Sequence, residues 1–356
     1  MPRLRRADTT GPGILRRRRG RGFVYLDADG GRVTDEEVLE RIRDLAIPPA
    51  WKEVWICALP YGHIQATGTD DAGRRQYRYH DLWRQRRDAQ KFEDMIAFAR
   101  ALPAMRRRVD ADLARPDLDR ERALACAARL LDIGFFRIGS EDYAEKNETF
   151  GLATIRRDHV SLKDGVITFD YVAKSGKQRV QSIADPEVLE IVAHLKRRRG
   201  GHPELLAYRD GRAWRDVKSG DVNEYIKEIT GGDFSAKTFR TWSATVLAAV
   251  ALASNGREAR TKTARKRAIS AAVKEVSRYL GNTPAVCRAS YIDPRVIDRY
   301  ESGLTIAERL AEVADPDEEE GPVTDLDVDR RVEKAVLDLI ADDEDSPVVE
   351  AMPVAA

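Results

Sequence analysis

The spacing of apolar residues changes near Trp83, and this change constrains the fold more than any other feature. Before it, FVYLDADGGRVT (23–34) and VWICALPYGHIQATGTDDAGRRQYRYH (54–80) alternate apolar and polar residues between turns that contain glycine, a pattern typical of strands. After it, apolar residues recur at helical spacing, as in KFEDMIAFARALPAMRRRVDADL (91–113). The sequence predicts an α+β fold with a small β-rich N-terminal domain and a mainly helical second domain.

The β-rich domain contains one segment with a helical pattern, and the helical domain contains one segment with a strand pattern. TDEEVLERIRDLAI (34–47) has apolar residues at helical spacing and predicts a helix capped by Thr34. FGLATIRRDHVSLKDGVITFDYVAKSGKQRVQSI (150–183) alternates apolar and polar residues between KDG and KSGK turns, which predicts a three-stranded β meander. The predicted division of the chain is a first domain at 1–87, a linker near 84–90, a helical domain at 88–312 and a tail at 313–356.

The charge of the chain is unevenly divided. The whole chain has a net charge of +1, but residues 313–356 contain fifteen acidic and three basic residues, a net of −12, so residues 1–312 carry +13. The basic residues of this body form runs, namely LRRRRGRG (15–22), KRRRGG (196–201) and REARTKTARKRA (257–268). Such an excess is typical of proteins that bind a polyanion. The acidic tail is predicted to be mostly disordered around one short helix, Val328–Ile340.

Several classes of protein lack support in the sequence. The three cysteines, at 57, 126 and 287, form no C-x-x-C pair, which disfavours a disulfide framework or a zinc knuckle and fits a reducing cytoplasm. No apolar run of about 18 residues predicts a membrane span. No G-x-x-x-x-G-K-[ST] loop supports ATP binding, and the five histidines form no recognisable metal motif. We therefore predict no cofactor, no metal and no membrane partner.

The segment LGNTPAVCRASYIDP (280–294) stops and restarts a helix twice. Gly281 is suited to end the preceding helix. The pairs TP (283–284) and DP (293–294) are each suited to cap and open a new one. In an unbroken helix Asn282 and Tyr291 would lie about 13 Å apart along the axis, at 1.5 Å per residue. The breaks therefore predict a loop that brings both side chains toward one site.

Three cations stand in distinctive surroundings earlier in the chain. Arg137 follows two aromatic residues in FFRIGSEDYAEKNETFG, and Arg240 lies at the start of a very apolar helix in SAKTFRTWSATVLAAVALA. Lys174 lies in the turn of the YVAKSGKQRV hairpin. Taken alone, each arginine could simply close a helix end, and the lysine could simply be solvated. Arginine nevertheless suits phosphoryl chemistry, because its planar fork stays charged and binds two oxygens at once.

The order of these motifs resembles the type IB DNA topoisomerases of the small poxvirus-like and bacterial kind. FFRIGSEDYAEKNETFGLATI, YVAKSGK, AKTFRTW and LGNTPAVCRASYIDPRVI occur in the family's order, and the resemblance covers residues from about 20 to 302. It implies that Tyr291 is the nucleophile. The residues that match the other catalytic positions are Arg137, Lys174, Arg240 and Asn282, the last standing where many members have histidine.

The resemblance also implies the partner and the reaction. It assigns DNA contacts to Gln76, Tyr77, Tyr79, Tyr143 and Lys237. The two domains would form a C-shaped clamp around duplex DNA. Tyr291 would cleave one strand through a 3′-phosphotyrosyl bond, the strand would rotate, and religation would relax the supercoil without ATP or metal. The expected protein is a cytoplasmic, nucleoid-associated bacterial monomer.

Two other functions stay open at this point. A tyrosine site-specific recombinase uses a similar nucleophile and arginine pair, although such enzymes usually carry H-x-x-R where this chain has Lys237-Thr-Phe-Arg240. They also exchange a helix between partners, and only Val328–Ile340 follows Tyr300 as a candidate. A non-catalytic architectural DNA-binding protein would explain the charge of the body but not the constellation of motifs.

Overall fold

The computed structural model describes residues 3–255, 259–314, 330–341 and 350–351. The chain divides into two compact units, Met1–Lys91 and Phe92–Ala356, and each unit has its own hydrophobic core. The first unit is β-rich and the second is mainly helical, which confirms the predicted mixed α+β class.

The elements of the first unit are, in chain order, β1 (Ile14–Arg19), β2 (Gly22–Leu26), α1 (Glu36–Asp44), β3 (Lys52–Ile56), β4 (Ile64–Thr69) and β5 (Arg75–Tyr79). The strands form an antiparallel sheet in the order β2-β1-β3-β4-β5. Ile42 of α1 packs into the core with apolar residues of β1, β3 and β4. The cap of α1 is Asp35 instead of the predicted Thr34, because the Asp35 carboxylate accepts hydrogen bonds from the amides of Glu37 and Val38.

The first basic run (15–22) contains most of β1, a strand that was not predicted from the sequence. β1 turns into β2 at Gly20, where φ is 57. Arg16 is only 8% exposed, and its guanidinium donates to the carbonyl oxygens of Ile47, Pro48 and Trp51. One arginine of this run therefore holds the loop after α1, and the run offers less charge to a polyanion than its sequence suggests.

The predicted linker near residues 84–90 lies inside α2 (Asp81–Leu113), and the chain divides into its two units within this helix, between Lys91 and Phe92. The segment RQRRDAQK (84–91) consists largely of strong helix formers and contains no glycine or proline. The change in apolar spacing near Trp83 therefore marks the start of this helix, as predicted.

The described elements of the second unit that follow α2 are α3 (Arg120–Gly134), α4 (Glu141–Asn147), β6 (Val160–Lys163), β7 (Val166–Ala173), β8 (Lys177–Ile183), α5 (Pro186–Arg197), β9 (Ala207–Asp210), β10 (Ala213–Asp216), α6 (Ser219–Thr230), α7 (Ala236–Asn255), α8 (Lys262–Leu280), α9 (Pro284–Ser290), α10 (Pro294–Glu301), β11 (Leu304–Thr305), α11 (Ala307–Ala314), α12 (Arg330–Ile340) and β12 (Glu350–Ala351). β6, β7 and β8 form the predicted antiparallel meander. The β9–β10 hairpin and the short β11–β12 pair were not predicted.

The centre of the second unit is built around α3 and α7. Residues 123–128 of α3 are all fully buried, and most of α7 is buried as well. Such helices need partners on every side, and here α5, α6 and the meander pack around α3. Within the described parts of the chain, no helix combines the length and apolar character that a membrane span requires.

The two helix breaks predicted for residues 280–294 are confirmed. α8 ends at Gly281, whose φ of 63 is unfavourable for other residues. Thr283 caps α9 by accepting a hydrogen bond from the amide of Val286, and Asp293 caps α10 by accepting one from the amide of Arg295. Tyr291 stands between the two helices, as the residue that ends α9.

The short helix predicted within the tail at Val328–Ile340 is confirmed over Arg330–Ile340, which is α12. α12 begins at Arg330, and its apolar side chains are buried in the core of the second unit: Val332, Ala335, Val336, Leu339 and Ile340. The physical reason is an apolar stripe at helical spacing, which stabilises a helix once a core covers it. Most of the acidic residues predicted to be disordered, at 315–329 and 342–349, lie outside the described residues.

Candidate active site

Arg240 lies near the start of α7 and is 3% exposed. Its Nη1 donates to the carbonyl oxygen of Phe135, and its Nη2 donates to that of Leu280 at 2.8 Å. Phe135 directly follows α3 and Leu280 is the last residue of α8, so both carbonyls belong to helix ends that lack intrahelical partners. Arg240 therefore joins three helices. Its Nε has no hydrogen-bond partner among the described residues.

Arg137 follows the end of α3, and its backbone is held by two glycines in close contact. A Cβ on Gly139 would lie 2.9 Å from the Cα of Gly151. This approach lets the amide of Leu152 donate to the carbonyl oxygen of Arg137 at 2.8 Å. The Arg137 side chain donates through Nη2 to Oδ1 of Asn282. In the described part of the chain, the buried Nδ2 of Asn282 has no acceptor.

Tyr291 is 8% exposed and is held by the same helix that carries Arg240. Thr245 of α7 accepts a hydrogen bond from the amide of Asp293 at 3.1 Å, and its Oγ1 lies 3.4 Å from the carbonyl oxygen of Tyr291. The guanidinium carbon of Arg240 lies 5.4 Å from the centre of the Tyr291 ring, within the range of a cation–π contact. Thr245 was not predicted from the sequence, although a threonine within an apolar helix is a signal for such a role.

A cavity of about 310 Å³ brings most of the predicted catalytic residues together with one predicted DNA contact. Its lining includes Arg137, Lys174, Lys237, Arg240 and Tyr291. Lys174 differs from the rest because it is exposed, in the turn between β7 and β8. Its amine makes no hydrogen bond or ion pair with the described residues. Asn282 does not line this cavity and is linked to it through Arg137.

The positive charges around the cavity lower the pKa of the Tyr291 hydroxyl. Burial alone raises the pKa of its hydroxyl, but the charges of Arg240, Arg137 and Lys237 outweigh burial and hold the pKa below its usual value of 10.0. Burial and the charge of Arg137 lower the pKa of Arg240 to about 10. Arg240 therefore stays charged at neutral pH, and the phenolate form of Tyr291 is favoured over that of a free tyrosine.

The predicted DNA contacts outside the cavity lie on two elements. Tyr77 and Tyr79 of β5 are 43% and 41% exposed, and their rings stack with centroids 6.0 Å apart. Gln76 points to the other face of the strand, where its amide donates to Asp70 at 2.9 Å. Tyr143 lies in α4, and its side chain is outside the described residues. Two stacked, exposed aromatic rings are a surface on which other flat groups can stack.

Arg179 of β8 is a further cation near the cavity that the sequence analysis missed. It lines a neighbouring cavity of about 210 Å³ together with Arg137, Lys174 and Arg240. Burial and the charge of Arg137 lower the pKa of Arg179, although Tyr171 opposes this effect. The signal was the strand pattern KQRVQSI (177–183), which places Arg179 and Gln181 on one face of β8.

One further group of side chains in the described residues has atoms that could ligate a metal. One ligand atom each of His202, Glu204 and Asp216 lies within 4.8 Å of the others. Arg198 is buried beside them and donates to the carbonyl oxygens of His202 and Glu204, and Lys218 lies 3.6 Å from Asp216. These cations oppose the binding of a metal ion, so we assign no metal site here.

Two family models match the chain. Residues 80–315 match the catalytic core of eukaryotic DNA topoisomerase I, and residues 22–70 match the N-terminal domain of bacterial DNA topoisomerase IB. The first match alone covers more than half of the chain, and it includes every residue that lines the cavity beside Tyr291.

Individual proteins of viruses and a fungus are also similar. The chain is 31% identical over 297 residues to DNA topoisomerase 1B of Acanthamoeba polyphaga mimivirus, a match that covers 82% of this chain and 88% of the viral protein. It is 22% identical over 270 residues to DNA topoisomerase 1B of vaccinia virus (strain Western Reserve), covering 74% of this chain and 81% of that protein. DNA topoisomerase 1 of Schizosaccharomyces pombe is 26% identical over 159 residues, which are 44% of this chain and 18% of the fungal protein.

Proposed function

The chain belongs to the type IB DNA topoisomerases, isomerases that act on DNA, and on that premise we propose that it relaxes supercoiled duplex DNA without ATP or a metal ion. Relaxation would proceed by cleavage of one strand, rotation and religation. The bond energy of the DNA backbone would be kept in a 3′-phosphotyrosyl ester, so no external energy source is required.

The observation that carries this proposal is a pair of buried donors without acceptors. Arg240 Nε and Asn282 Nδ2 are both buried, and neither has a hydrogen-bond partner among the described residues. Buried donors are normally paired, so these two donors are available to an acceptor that enters the site. Arg137, which bonds to Asn282, joins Arg240 and Tyr291 in the lining of one cavity. A phosphodiester, with charged oxygens on a central phosphorus, fits such a set.

Each residue then has a distinct role in the proposed reaction. The Tyr291 oxygen, which loses its proton to water, attacks the phosphorus, and the bond from phosphorus to the 5′ oxygen breaks. Arg137, Arg240 and Asn282 stabilise the charge that builds on the non-bridging oxygens, a contribution that usually dominates in such sites. Lys174 gives a proton to the leaving 5′ oxygen as general acid. Religation runs the same steps in reverse.

Duplex binding would involve both units. In the proposed C-shaped clamp, Gln76, Tyr77 and Tyr79 of the first unit and Tyr143 and Lys237 of the second contact the DNA. The exposed, stacked rings of Tyr77 and Tyr79 support this role, and Lys237 in the cavity lining supports a contact close to the scissile phosphate. The protein would act as a monomer, associated with the nucleoid.

Incubation with negatively supercoiled plasmid, in EDTA and without ATP, tests the proposal. Relaxation in steps that produce a ladder of topoisomers is the expected result. Strand exchange restricted to defined sites would instead identify a recombinase, and plasmid that binds yet stays supercoiled would identify an architectural protein.

A further inference from the structure

The hairpin that carries Lys174 is attached to two helix ends by side chains of β8. Arg179 donates through Nη2 to the carbonyl oxygen of Tyr279, in the last turn of α8. Gln181 donates through Nε2 to the carbonyl oxygen of Gly134, the last residue of α3, at 2.5 Å. Arg179 Nε also donates to Oε1 of Gln181 at 2.9 Å. We call these two connected side chains the Arg179–Gln181 bracket.

The bracket and Arg240 bind neighbouring carbonyls. At the end of α8, Arg179 binds the carbonyl of Tyr279, and Arg240 binds that of Leu280. The arrangement is the same at the end of α3, where Gln181 binds the carbonyl of Gly134 and Arg240 binds that of Phe135, the next residue. Carbonyls at helix C-termini attract cations and donors, because they lack intrahelical partners and carry partial negative charge. These adjacent contacts fix the position of the hairpin relative to Arg240.

The end of α8 is shaped to receive Arg179. A Cβ on Gly281 would lie 3.1 Å from Nη1 of Arg179, so the glycine leaves room for the guanidinium. The carbonyls of Ser277 and Arg278, which precede that of Tyr279, accept backbone hydrogen bonds from Asn282 and Gly281. Arg179 and Arg240 supply the remaining donors for this helix end.

Lys174 has no comparable support of its own. It is exposed at the tip of the hairpin, and its amine makes no hydrogen bond or ion pair with the described residues. Its distance from Arg240 therefore depends on how the β7–β8 hairpin is attached to the helices. The bracket lies on β8, beyond the turn that carries Lys174.

We propose that Arg179 and Gln181 are positioning residues for Lys174, which hold the hairpin against the ends of α3 and α8 so that the lysine amine meets the leaving 5′ oxygen. This inference rests on the general-acid role proposed above for Lys174. It assigns no contact with DNA to either residue of the bracket.

The test compares two single-turnover cleavage substrates, ordinary duplex DNA and duplex DNA with sulfur in place of the scissile 5′ oxygen. Sulfur leaves without protonation, so only variants impaired in general acid catalysis should recover on it. We expect Arg179→Ala to cleave ordinary DNA about 10- to 100-fold more slowly and the sulfur substrate within about threefold of the unaltered protein. Lys174→Ala should show the same pattern, whereas Arg137→Ala should be slow on both substrates.

Three further variants refine the test. Gln181→Glu keeps the acceptor for Arg179 but removes the donor to Gly134, so it should show a smaller defect of the same kind. Arg179→Lys keeps one donor, so it should cleave ordinary DNA faster than Arg179→Ala. If Arg179→Ala is too unstable to measure, Gln181→Glu and Arg179→Lys replace it in the test. Ser182→Ala is the matched control, because it removes a hydrogen bond to Thr168 within the same strand pair and leaves the bracket intact.

The outcomes separate the two proposals. If Lys174→Ala recovers on sulfur but Arg179→Ala does not, the bracket is merely structural and this inference is wrong. If Lys174→Ala itself fails to recover on the sulfur substrate, Lys174 is not the general acid, and the positioning role of the bracket is wrong as well. The double variant Lys174→Ala/Arg179→Ala should cleave ordinary DNA no more slowly than Lys174→Ala, and fully additive defects would contradict the inference.

Discussion

The two sides of the candidate active site are built differently. On one side, Arg240 and Tyr291 are almost completely buried, and main-chain carbonyls at the ends of α3 and α8 hold the Arg240 guanidinium. On the other side, Lys174 is exposed at the tip of a hairpin. On the buried side, burial and the charge of Arg137 lower the pKa of Arg240, and the surrounding cations hold the pKa of Tyr291 below its usual value although burial raises it.

This difference fits the proposed reaction, in which the buried side stabilises charge and the exposed side supplies a proton. Groups that stabilise charge work best when they are held in place before the reaction and shielded from water. A general acid must reach the leaving 5′ oxygen, give it a proton, and take that proton back when the strand is resealed. The buried side should therefore tolerate no change of geometry, whereas the exposed side should depend on how its hairpin is attached.

The largest effect should come from the buried side, by removal of one oxygen. Tyr291→Phe should bind duplex DNA nearly normally but form no covalent adduct, because the phenol oxygen is the proposed nucleophile. A denaturing gel after incubation with labelled DNA measures the adduct. Tyr279→Phe is the control, since Tyr279 is exposed and contributes its backbone carbonyl to the bracket. An adduct that persists in Tyr291→Phe would exclude Tyr291 as the nucleophile.

The next largest effect should come from a change of side-chain shape at Arg240 that keeps its positive charge. Arg240→Lys keeps the positive charge but cannot serve the carbonyls of both Phe135 and Leu280 while also facing a phosphate. We expect cleavage to slow by about 100-fold on both oxygen and sulfur substrates. Arg197→Lys, an exposed arginine on α5, is the matched control. Cleavage near the normal rate in Arg240→Lys would show that charge alone suffices on the buried side.

The pH dependence of cleavage should change when one cation is removed from the buried side. Arg137 lowers the pKa of Tyr291, so Arg137→Ala should raise it. If the phenolate is the attacking form, the rate increases with pH and levels off above the pKa. In Arg137→Ala this plateau should therefore move to higher pH, and the loss of rate should be smaller in alkaline buffer. A pH profile of unchanged shape would separate Arg137 from the ionisation of Tyr291.

The smallest effect on catalysis should come from the support beneath the buried side. Glu333 of α12 accepts hydrogen bonds from Trp242 of α7 and from Arg106, which also pairs with Asp132. Glu333→Ala leaves these donors buried and should reduce the free energy of unfolding by about 3 kcal/mol. Thermal unfolding measures the loss, with the exposed neighbour Lys334→Ala as control. An unchanged midpoint in Glu333→Ala would mean that α12 adds little to the buried side.

The sequence predicted the parts of this protein that depend on neighbouring residues. The apolar period distinguished strands from helices, and the meander and the breaks at Gly281, Thr283 and Asp293 were confirmed. These signals act among residues within about one helical turn or one β-turn of each other, so they depend little on distant parts of the chain. The order of motifs also identified the family, which the matches to two family models confirm.

Only the tertiary structure decided which groups are buried and what they bind. Sequence did not show that Arg16 and Arg198 are structural, that α12 joins the core, or that Arg179 reaches α8. The tertiary structure also placed Arg137, Lys174, Arg240 and Tyr291 around one cavity. These residues are far apart in sequence, and a side chain's desolvation and pKa depend on all the elements packed around it. Local patterns determine where helices and strands begin, but burial and charge at the site arise only when distant helix ends and strands meet.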